Sequence, residues 1–341
     1  MAEKNKILLE IKNLRTSFRI DGKYYAAVDG VDLEIYQDEV FAVVGESGCG
    51  KTAMALSLVR LHNTTYTRME GEIMFDGQEI LSLKLPALNK VRGRSIGFIF
   101  QDPLSALNPL QKVGRQIEET LFYHADLTKD ERKERAMELL TAVGMHNPEL
   151  TYDSYPHELS GGMRQRAMIA IAISAKPDLL IADEPTTALD VTIQAQILDL
   201  IRDLKKEMKS SIILITHDLG VVAEMADRVA VMYGGQIVET APVEELFANP
   251  QHPYTRSLLH SIPGVAGGDG ERLHTIHGTV PDLRTMPRTG CRFAHRTPWV
   301  PESAHEAEPT YHQVGPEHYV LCTCYKTFEF APEGYFNKAV E

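Results

Sequence analysis

Long apolar runs are missing from this sequence. The longest near the middle of the chain extends from Ala167 to Ala175 and is closed by Arg166 and Lys176. A membrane-spanning helix needs roughly 20 apolar residues, which this run does not approach. The sequence therefore predicts no membrane span, and we expect any action at a membrane to depend on a partner.

Positive charge and cysteine are also scarce. The 35 Lys and Arg residues against 47 Asp and Glu residues give a net charge of -12, which argues against binding nucleic acid. Four cysteines, behind a start (MAEKNKILLE) without a signal-peptide pattern, favour a reducing, cytoplasmic setting. The 43 % apolar content of the 341 residues is typical of a soluble globular protein with one large domain plus an appendage, or two domains.

The order of the apolar segments predicts an α/β fold. Alternating apolar and polar residues over 7–36, around Asp21-Gly22, predict antiparallel strands joined by a turn. Continuous apolar runs at 40–45, 178–184 and 211–217 predict buried strands. Helical segments follow the first run and separate the other two, as in a mostly parallel sheet.

A helical insert is expected between the first and second buried strands, over about 105–175. One of its helices carries a capping box, Thr128 with Glu131, and is expected to end at Gly144. After residue 262 the pattern changes to a Gly-rich segment and a tail rich in proline and histidine. We therefore predict a boundary between residues 1–262 and 263–341. No internal repeat is visible.

A phosphate-binding loop follows the first buried strand. Its sequence, GESGCGKT, fits G-x-x-x-x-G-K-[ST] with a strand before and a helix after. The glycines let successive backbone N–H groups face the phosphates, and the helix N-terminus adds its positive dipole. Lys51 is expected to reach the β- and γ-phosphates and Thr52 to bind Mg²⁺. The loop residues predicted to bind ATP are Gly45, Glu46, Ser47, Gly48, Cys49, Gly50, Lys51 and Thr52.

Four polar side chains at or near the ends of predicted strands are candidates for the chemistry. Asp183 is expected to hold Mg²⁺ directly or through water, and Glu184 to orient or deprotonate the attacking water. His217 is a candidate for contacting the γ-phosphate. Gln101 is a neutral candidate for contacting Mg²⁺ and the water.

Cys49 has two interpretations. Its place at a helix N-terminus near Lys51 would lower the thiol pKa and make it reactive. Alternatively it is a small, inert filler of the loop, and the sequence leaves both open.

A second motif of the phosphate-binding type, LSGGMRQR, occupies residues 159–166. It lies in the helical insert, away from the first loop, so it has no phosphate of its own chain to hold. We expect Ser160 and the N–H groups of Gly161 and Gly162 to hold the γ-phosphate of a nucleotide bound to another subunit. The motif resembles the signature of ATP-binding-cassette (ABC) ATPases, in which two cassettes pack head to tail with ATP between them.

This resemblance implies further assignments. Gln101 corresponds to the Q-loop glutamine and His217 to the switch histidine, and residues 187–190 (TALD) resemble the D-loop. The expected fold is a P-loop NTPase core with an N-terminal antiparallel β subdomain, the helical signature subdomain and a C-terminal extension. The residues expected to act on the partner's site are Ser160, Gly161, Gly162, Gln165 and Asp190.

The aromatic residue that stacks on adenine is less well marked. Phe18 resembles it by position, and Tyr24 and Tyr25 are alternatives because the hairpin is longer than usual in the family. A core role for each of these aromatics remains equally open.

Longer segments of the sequence resemble one group within the ABC ATPases. Residues 100–119, 183–200, 216–239 and 252–263 look like the bacterial oligopeptide/dipeptide permease ATPases, and 276–296 resembles the C-terminal extension of the OppD/DppD-like group. The expected function is therefore to bind and hydrolyse ATP, with Mg²⁺, for import of oligopeptides or dipeptides. Import of nickel, metal chelates or other small solutes is the alternative, although those relatives commonly lack so long a tail.

The resemblance also implies partners. They are a second ATPase subunit of the OppF/DppF type, two transmembrane permease subunits and an extracytoplasmic substrate-binding protein, with this chain at the cytoplasmic face of the cell (inner) membrane. Exposed residues of 102–125 are the expected permease contact.

Two other classes of protein fit the sequence less well. An ABC ATPase acting on DNA or ribosomes would show two cassettes, a coiled-coil insert or a basic surface, and another P-loop kinase or GTPase would lack the signature.

The tail raises the question of a metal. Some relatives look to carry four cysteines here, in a spacing suited to an iron–sulfur cluster, which generally needs four thiolates. This sequence keeps Cys291 and Cys322 but has Thr297 and Ala304 at the other two positions, and Cys324 does not fill both vacancies. Three cysteines with a histidine would suit zinc, but the histidines show no regular ligand spacing. The histidines considered for such a site are His295, His305, His312 and His318. We therefore expect reduced thiols, no iron–sulfur cluster and no stoichiometric metal.

Overall fold

The computed structural model describes residues 6–187, 189–261 and 276–331. In these ranges the strands are β1 (Ile7–Ile20), β2 (Lys23–Tyr36), β3 (Val40–Val44), β4 (Thr67–Phe75), β5 (Gln78–Glu79), β6 (Ile96–Ile99), β7 (Leu179–Asp183), β8 (Ser211–Thr216), β9 (Arg228–Tyr233), β10 (Gln236–Pro242), β11 (Tyr311–Gly315) and β12 (His318–Leu321). The helices are α1 (Lys51–Leu58), α2 (Leu85–Val91), α3 (Pro103–Ala106), α4 (Val113–His124), α5 (Lys129–Ala142), α6 (Pro148–Asp153), α7 (Gly161–Ile173), α8 (Val191–Met208), α9 (Leu219–Met225), α10 (Val243–Ala248) and α11 (Pro253–His260).

The larger sheet has the strand order β11-β12-β10-β9-β3-β8-β7-β6. Its central strands β9, β3, β8, β7 and β6 are parallel. All residues of β3, β7 and β8 are buried, as expected for parallel strands covered on both faces. The α/β fold is confirmed, and the three predicted buried strands lie within one residue of β3, β7 and β8.

The smaller sheet is antiparallel, with the order β2-β1-β4-β5. The β1–β2 hairpin turns at Asp21 and Gly22, whose φ angles of 48° and 80° are those that a tight two-residue hairpin turn requires. Leu9 and Ile11 of this sheet share an apolar core with Phe41 of β3 and Met54 of α1. The hairpin predicted from residues 7–36 is confirmed.

The helical insert contains α3 to α7. Thr128 and Glu131 form the predicted capping box of α5, and Gly144, with a φ of +76°, follows its C-terminus. Ile117 of α4 and Leu139 of α5 belong to the same apolar core as the central strands, so the insert packs against the sheet rather than standing apart.

The C-terminal extension adds two strands to the edge of the larger sheet. In the antiparallel pairing of β12 with β10, Glu239 faces Val320 and Thr240 faces Tyr319. His318 is fully buried there, and its Nε2 lies 2.8 Å from Glu239 Oε1. These strands were not predicted, and the predicted boundary at 262/263 lies outside the described residues. No helix in the described ranges is both long and apolar enough to cross a membrane.

Candidate nucleotide site

The loop between β3 and α1 is shaped by two glycines. Gly45 has a φ of +155° and Gly50 a φ of +113°, values that disfavour residues with a Cβ. A Cβ on Gly45 would lie 2.2 Å from Met232 O, and one on Gly50 would lie 2.4 Å from Ala27 O. The loop is therefore held against β9 and β2 at two points where only glycine fits.

Lys51 and Thr52 begin helix α1 and face the same cleft. The Lys51 ammonium donates to Gly45 O at 2.8 Å and to Glu46 O at 3.1 Å, and the Thr52 hydroxyl donates to Asp183 Oδ1 at 3.2 Å. The Lys51 side chain is only 5 % exposed. A cation held this way stays in the loop, where it adds to the dipole of α1.

Glu184 is the centre of the polar cluster at the carboxyl edge of the sheet. Its Oε2 accepts from Gln101 Nε2 at 2.9 Å and from Thr187 Oγ1 at 2.9 Å, and lies 3.5 Å from His217 Nδ1. Its Oε1 lies 3.9 Å from Lys51 Nζ. Three strand ends, after β6, β7 and β8, thus converge on one carboxylate. The hydrogen bond from Thr187 to Glu184 was not predicted.

Asp183 differs from its neighbour in burial. It is 2 % exposed, and this burial raises the pKa of Asp183 to about 6, although the hydrogen bond from Thr52 and the charge of Lys51 act in the opposite direction. The hydroxyl of Thr52, the carboxylate of Asp183 and the amide oxygen of Gln101 are hard oxygen donors. Such a set suits Mg²⁺, which prefers carboxylates and waters and binds phosphates at the same time.

The three candidate aromatics lie outside the lining of this cleft. The Phe18 ring packs edge-on against His62, with centroids 5.2 Å apart, and Tyr24 is 41 % exposed beneath Arg68. Tyr25 is half-buried and pairs with Phe18 across the hairpin. In the described residues the cleft is lined instead by Ala27, Ser47, Gly48, Gly50, Lys51, Thr52, Ala53, Gln101, Glu184, Val280, Pro281, Asp282 and Leu283.

The signature residues line a different groove. Ser160 caps α7 by accepting from Met163 N at 3.3 Å, and Asp190 caps α8 by accepting from Ile193 N at 3.0 Å. Ser160, Gly161 and Asp190 are all exposed. The groove that holds them together also includes Gly162 and Leu189, so two helix N-termini open onto one surface away from Lys51.

Gln165 does not share that exposure. Its side chain is 2 % exposed, and its Nε2 donates to Pro185 O at 2.6 Å. The role of Gln165 at a partner's site stays a prediction, and in the single chain its side chain faces the interior. Gln165 instead links the signature helix to the loop that follows Glu184.

The phosphate-binding loop also contacts the C-terminal region, which sequence analysis did not predict. Glu46 N–H donates to the hydroxyl of Tyr254 at 2.8 Å, and the Glu46 carboxylate pairs with Arg296 at 2.5 Å. Arg296 is 2 % exposed and donates further to the carbonyls of His277 and Gly278. No local motif marks a contact between residues 250 positions apart.

Arg296→Met should weaken this support. The change keeps the length of the side chain but leaves Glu46 and three carbonyls without their donor, a loss of about 1–3 kcal/mol in the free energy of unfolding. We expect weaker ATP binding as well, because Glu46 is part of the loop. Thermal unfolding and nucleotide titration measure both, and Arg135→Met is the control, since Arg135 pairs with Glu138 on α5 and neither residue lines the cleft. Equal effects of the two substitutions would contradict this role.

The burial of Cys49 favours the second interpretation, an inert filler of the loop. It is 1 % exposed, and burial raises the pKa of the Cys49 thiol despite the nearby charge of Lys51. We predict that iodoacetamide labels Cys49 in the folded chain at least about tenfold more slowly than in the denatured chain, because little thiolate is present or accessible. Peptide mapping by mass spectrometry measures this. Fast labelling of the folded chain that ATP blocks would establish the reactive alternative.

The fold and the site define an ATP-binding cassette ATPase. The family model described as ABC transporter matches residues 28–187. A solved structure with TM-score 0.62 and 29 % identity is a post-hydrolysis dimer of the ATP-binding cassette MJ0796 bound to ADP and Pi; the similarity covers 69 % of this chain and 98 % of that one.

Similar proteins identify the group of ABC ATPases to which the chain belongs. The chain is 49 % identical over 324 residues to the oligopeptide transport ATP-binding protein OppD of Lactococcus lactis subsp. cremoris, covering 95 % of this chain and 96 % of that protein. It is 50 % identical to OppD of Bacillus subtilis, over 92 % and 87 % of the two chains. The family model described as oligopeptide/dipeptide transporter, C-terminal region, matches residues 238–302. The chain belongs to this family of ABC transporter ATP-binding proteins.

Proposed function

We propose that this chain is the subunit that binds and hydrolyses ATP to drive import of oligopeptides. The observation that carries the proposal is the identity of about half of all residues with OppD proteins over nearly the whole chain, extension included. The proposal places the chain at the inner face of the cell membrane, where it acts with two permease subunits, an extracytoplasmic binding protein and a second ATPase subunit of the OppF/DppF type.

Glu184 would be the catalytic base. It would take the proton of the attacking water. Gln101 and His217 both contact its Oε2; Gln101 would orient the water and His217 would contact the γ-phosphate. Lys51 would bind the β- and γ-phosphates, and Thr52 and Asp183 would hold Mg²⁺. When bound, the ion would neutralise part of the negative charge on the phosphates.

The signature groove acts in trans. Ser160 and the N–H groups at the start of α7 would bind the γ-phosphate held by the partner's loop, and Asp190 would face the partner. Support comes from the exposure of both helix N-termini, which attract anions, and from the dimeric MJ0796 cassette. ATP closure of the two cassettes then shifts the conformation of the attached permeases.

Adenine recognition and permease docking follow the same proposal. Phe18 is the family-based choice for adenine, although its ring packs on His62, and Tyr24 and Tyr25 stay as alternatives. Exposed apolar side chains in the 102–125 segment, Leu104, Leu110, Phe122 and Tyr123, suit a permease helix.

Uptake by the assembled transporter tests the function. The chain, its permeases, its partner ATPase and its binding protein are reconstituted in vesicles, and entry of a radiolabelled peptide is compared with entry of ⁶³Ni²⁺. We expect ATP-dependent peptide entry that is absent with Glu184→Gln. Nickel entry without peptide entry would favour the alternative of metal import.

A further inference from the structure

Three thiols and one imidazole meet in the C-terminal extension. The ligand atoms of Cys291, His305, Cys322 and Cys324 all lie within 4.8 Å of one another. Cys291 precedes the turn Ala294–Arg296, and His305 follows a short turn. Cys322 directly follows β12, and Cys324 begins the next turn. Three segments that are distant in sequence therefore contribute one compact set of metal-ligating groups.

The spacing of the four atoms suits a single ion. In a tetrahedral site, Zn–S bonds of about 2.3 Å hold sulfur ligands about 3.8 Å apart. Separations of at most 4.8 Å reach this value with small side-chain adjustments. An iron–sulfur cluster of several irons binds its cysteines through different iron atoms and holds them further apart. The geometry thus selects a mononuclear site.

The surroundings of the cluster point the same way. Cys322 and Cys324 are completely buried. Both ring nitrogens of His305 are shielded from solvent, yet neither has a hydrogen-bond partner in the described part of the chain. Buried polar atoms are nearly always bonded, so this imidazole lacks the partner that a metal would supply.

One contact prepares a thiolate for the metal. The backbone N–H of Glu306 donates to Cys322 Sγ at 3.4 Å. Outer-shell bonds of this kind stabilise the ligand form of a thiolate and fix its direction. Cys291 and His305 also border a surface cleft, which gives an ion a path to the cluster.

We propose that Cys291, His305, Cys322 and Cys324 bind one structural zinc ion. Four protein ligands close the coordination sphere, so the ion stabilises the fold rather than catalysing. The sequence predicted unliganded thiols because Cys324 alone does not fill two vacancies. In the structure Cys324 supplies one ligand and His305 the other. The ion would fasten the segment that carries Arg296 against the phosphate-binding loop.

Metal content of the full-length chain tests the proposal. The chain is purified under reducing conditions without chelator, and zinc, iron and sulfide are measured per chain. We expect one zinc in the wild type, and near-complete loss of zinc in Cys324→Ser and in His305→Ala. His295→Gln is the matched control, because His295 lies in the same extension but outside the four-ligand group, and it should keep its zinc.

A second measurement does not depend on variants that fold poorly. Wild-type chain stripped of zinc and refilled with Co²⁺ should show the intense visible bands of tetrahedral cobalt and its charge-transfer bands with thiolates. Stoichiometric iron and sulfide, a disulfide among the three cysteines, or metal-free protein whose three thiols all titrate would each overturn the zinc site. So would unchanged zinc in both ligand variants.

Discussion

ATP should still bind to the Glu184→Gln variant, while hydrolysis by the assembled transporter falls about 10²–10⁴-fold. The amide keeps the shape of the carboxylate and bonds to Thr187 in its place, but it does not accept a proton from water. The carboxylate contacts Gln101 and His217 as well, so its charge is the feature that the substitution removes. The closed ATP-bound complex should accumulate.

Phosphate release and nucleotide titration on the same preparation measure the two effects separately. Lys51→Ala is the matched comparison, because Lys51 contacts the loop carbonyls and its loss should weaken ATP binding itself. Hydrolysis by Glu184→Gln at a rate close to wild type would show that another group acts as the base. Loss of ATP binding in this variant would mean that Glu184 has a structural role.

Local patterns predicted the centre of the fold well. The strands β3, β7 and β8 are uniformly apolar and buried, and the motif residues follow them directly, so strand, loop and helix are all encoded within a few residues. Because parallel strands end at one edge, the meeting of Gln101, Glu184 and His217 also followed from the sequence. The structure adds their distances and the hydrogen bond from Thr187.

Contacts between distant segments were not predictable in the same way. The pairing of β12 with β10 depends on His318 fitting between Glu239 and Glu245. No periodic pattern in the sequence predicts this contact. Arg296 reaches Glu46 only because the extension folds back over the loop. The burial of Cys49 and of Gln165 depends likewise on which face of a helix or loop is covered, and spacing alone does not determine this.

The two phosphate-binding motifs differ in what surrounds them. The lining of the Lys51 cleft includes, among the residues that the structure describes, none from 159–166, whereas Ser160 and Asp190 share an exposed groove. Gln165 connects the signature helix to the loop after Glu184 through Pro185. If the groove binds a partner's phosphate as proposed, this hydrogen bond gives a direct contact between the signature helix and the loop that carries Glu184.

Ser160→Arg should leave ATP binding to this chain's own loop nearly intact and lower hydrolysis at the partner's site at least about tenfold, because bulk would fill the space of the partner's γ-phosphate at a helix N-terminus. Hydrolysis is measured in the assembled complex, with Lys51→Ala added to this chain to inactivate its own ATP site. The remaining hydrolysis then comes from the partner's site. Ser160→Ala is the matched comparison: it removes the hydroxyl that would contact the phosphate and the cap to Met163 N, which costs about 1 kcal/mol, but it adds no bulk, so it should lower hydrolysis at the partner's site less than Ser160→Arg does. Loss of ATP binding by isolated Ser160→Arg would instead mean that the motif acts within its own chain.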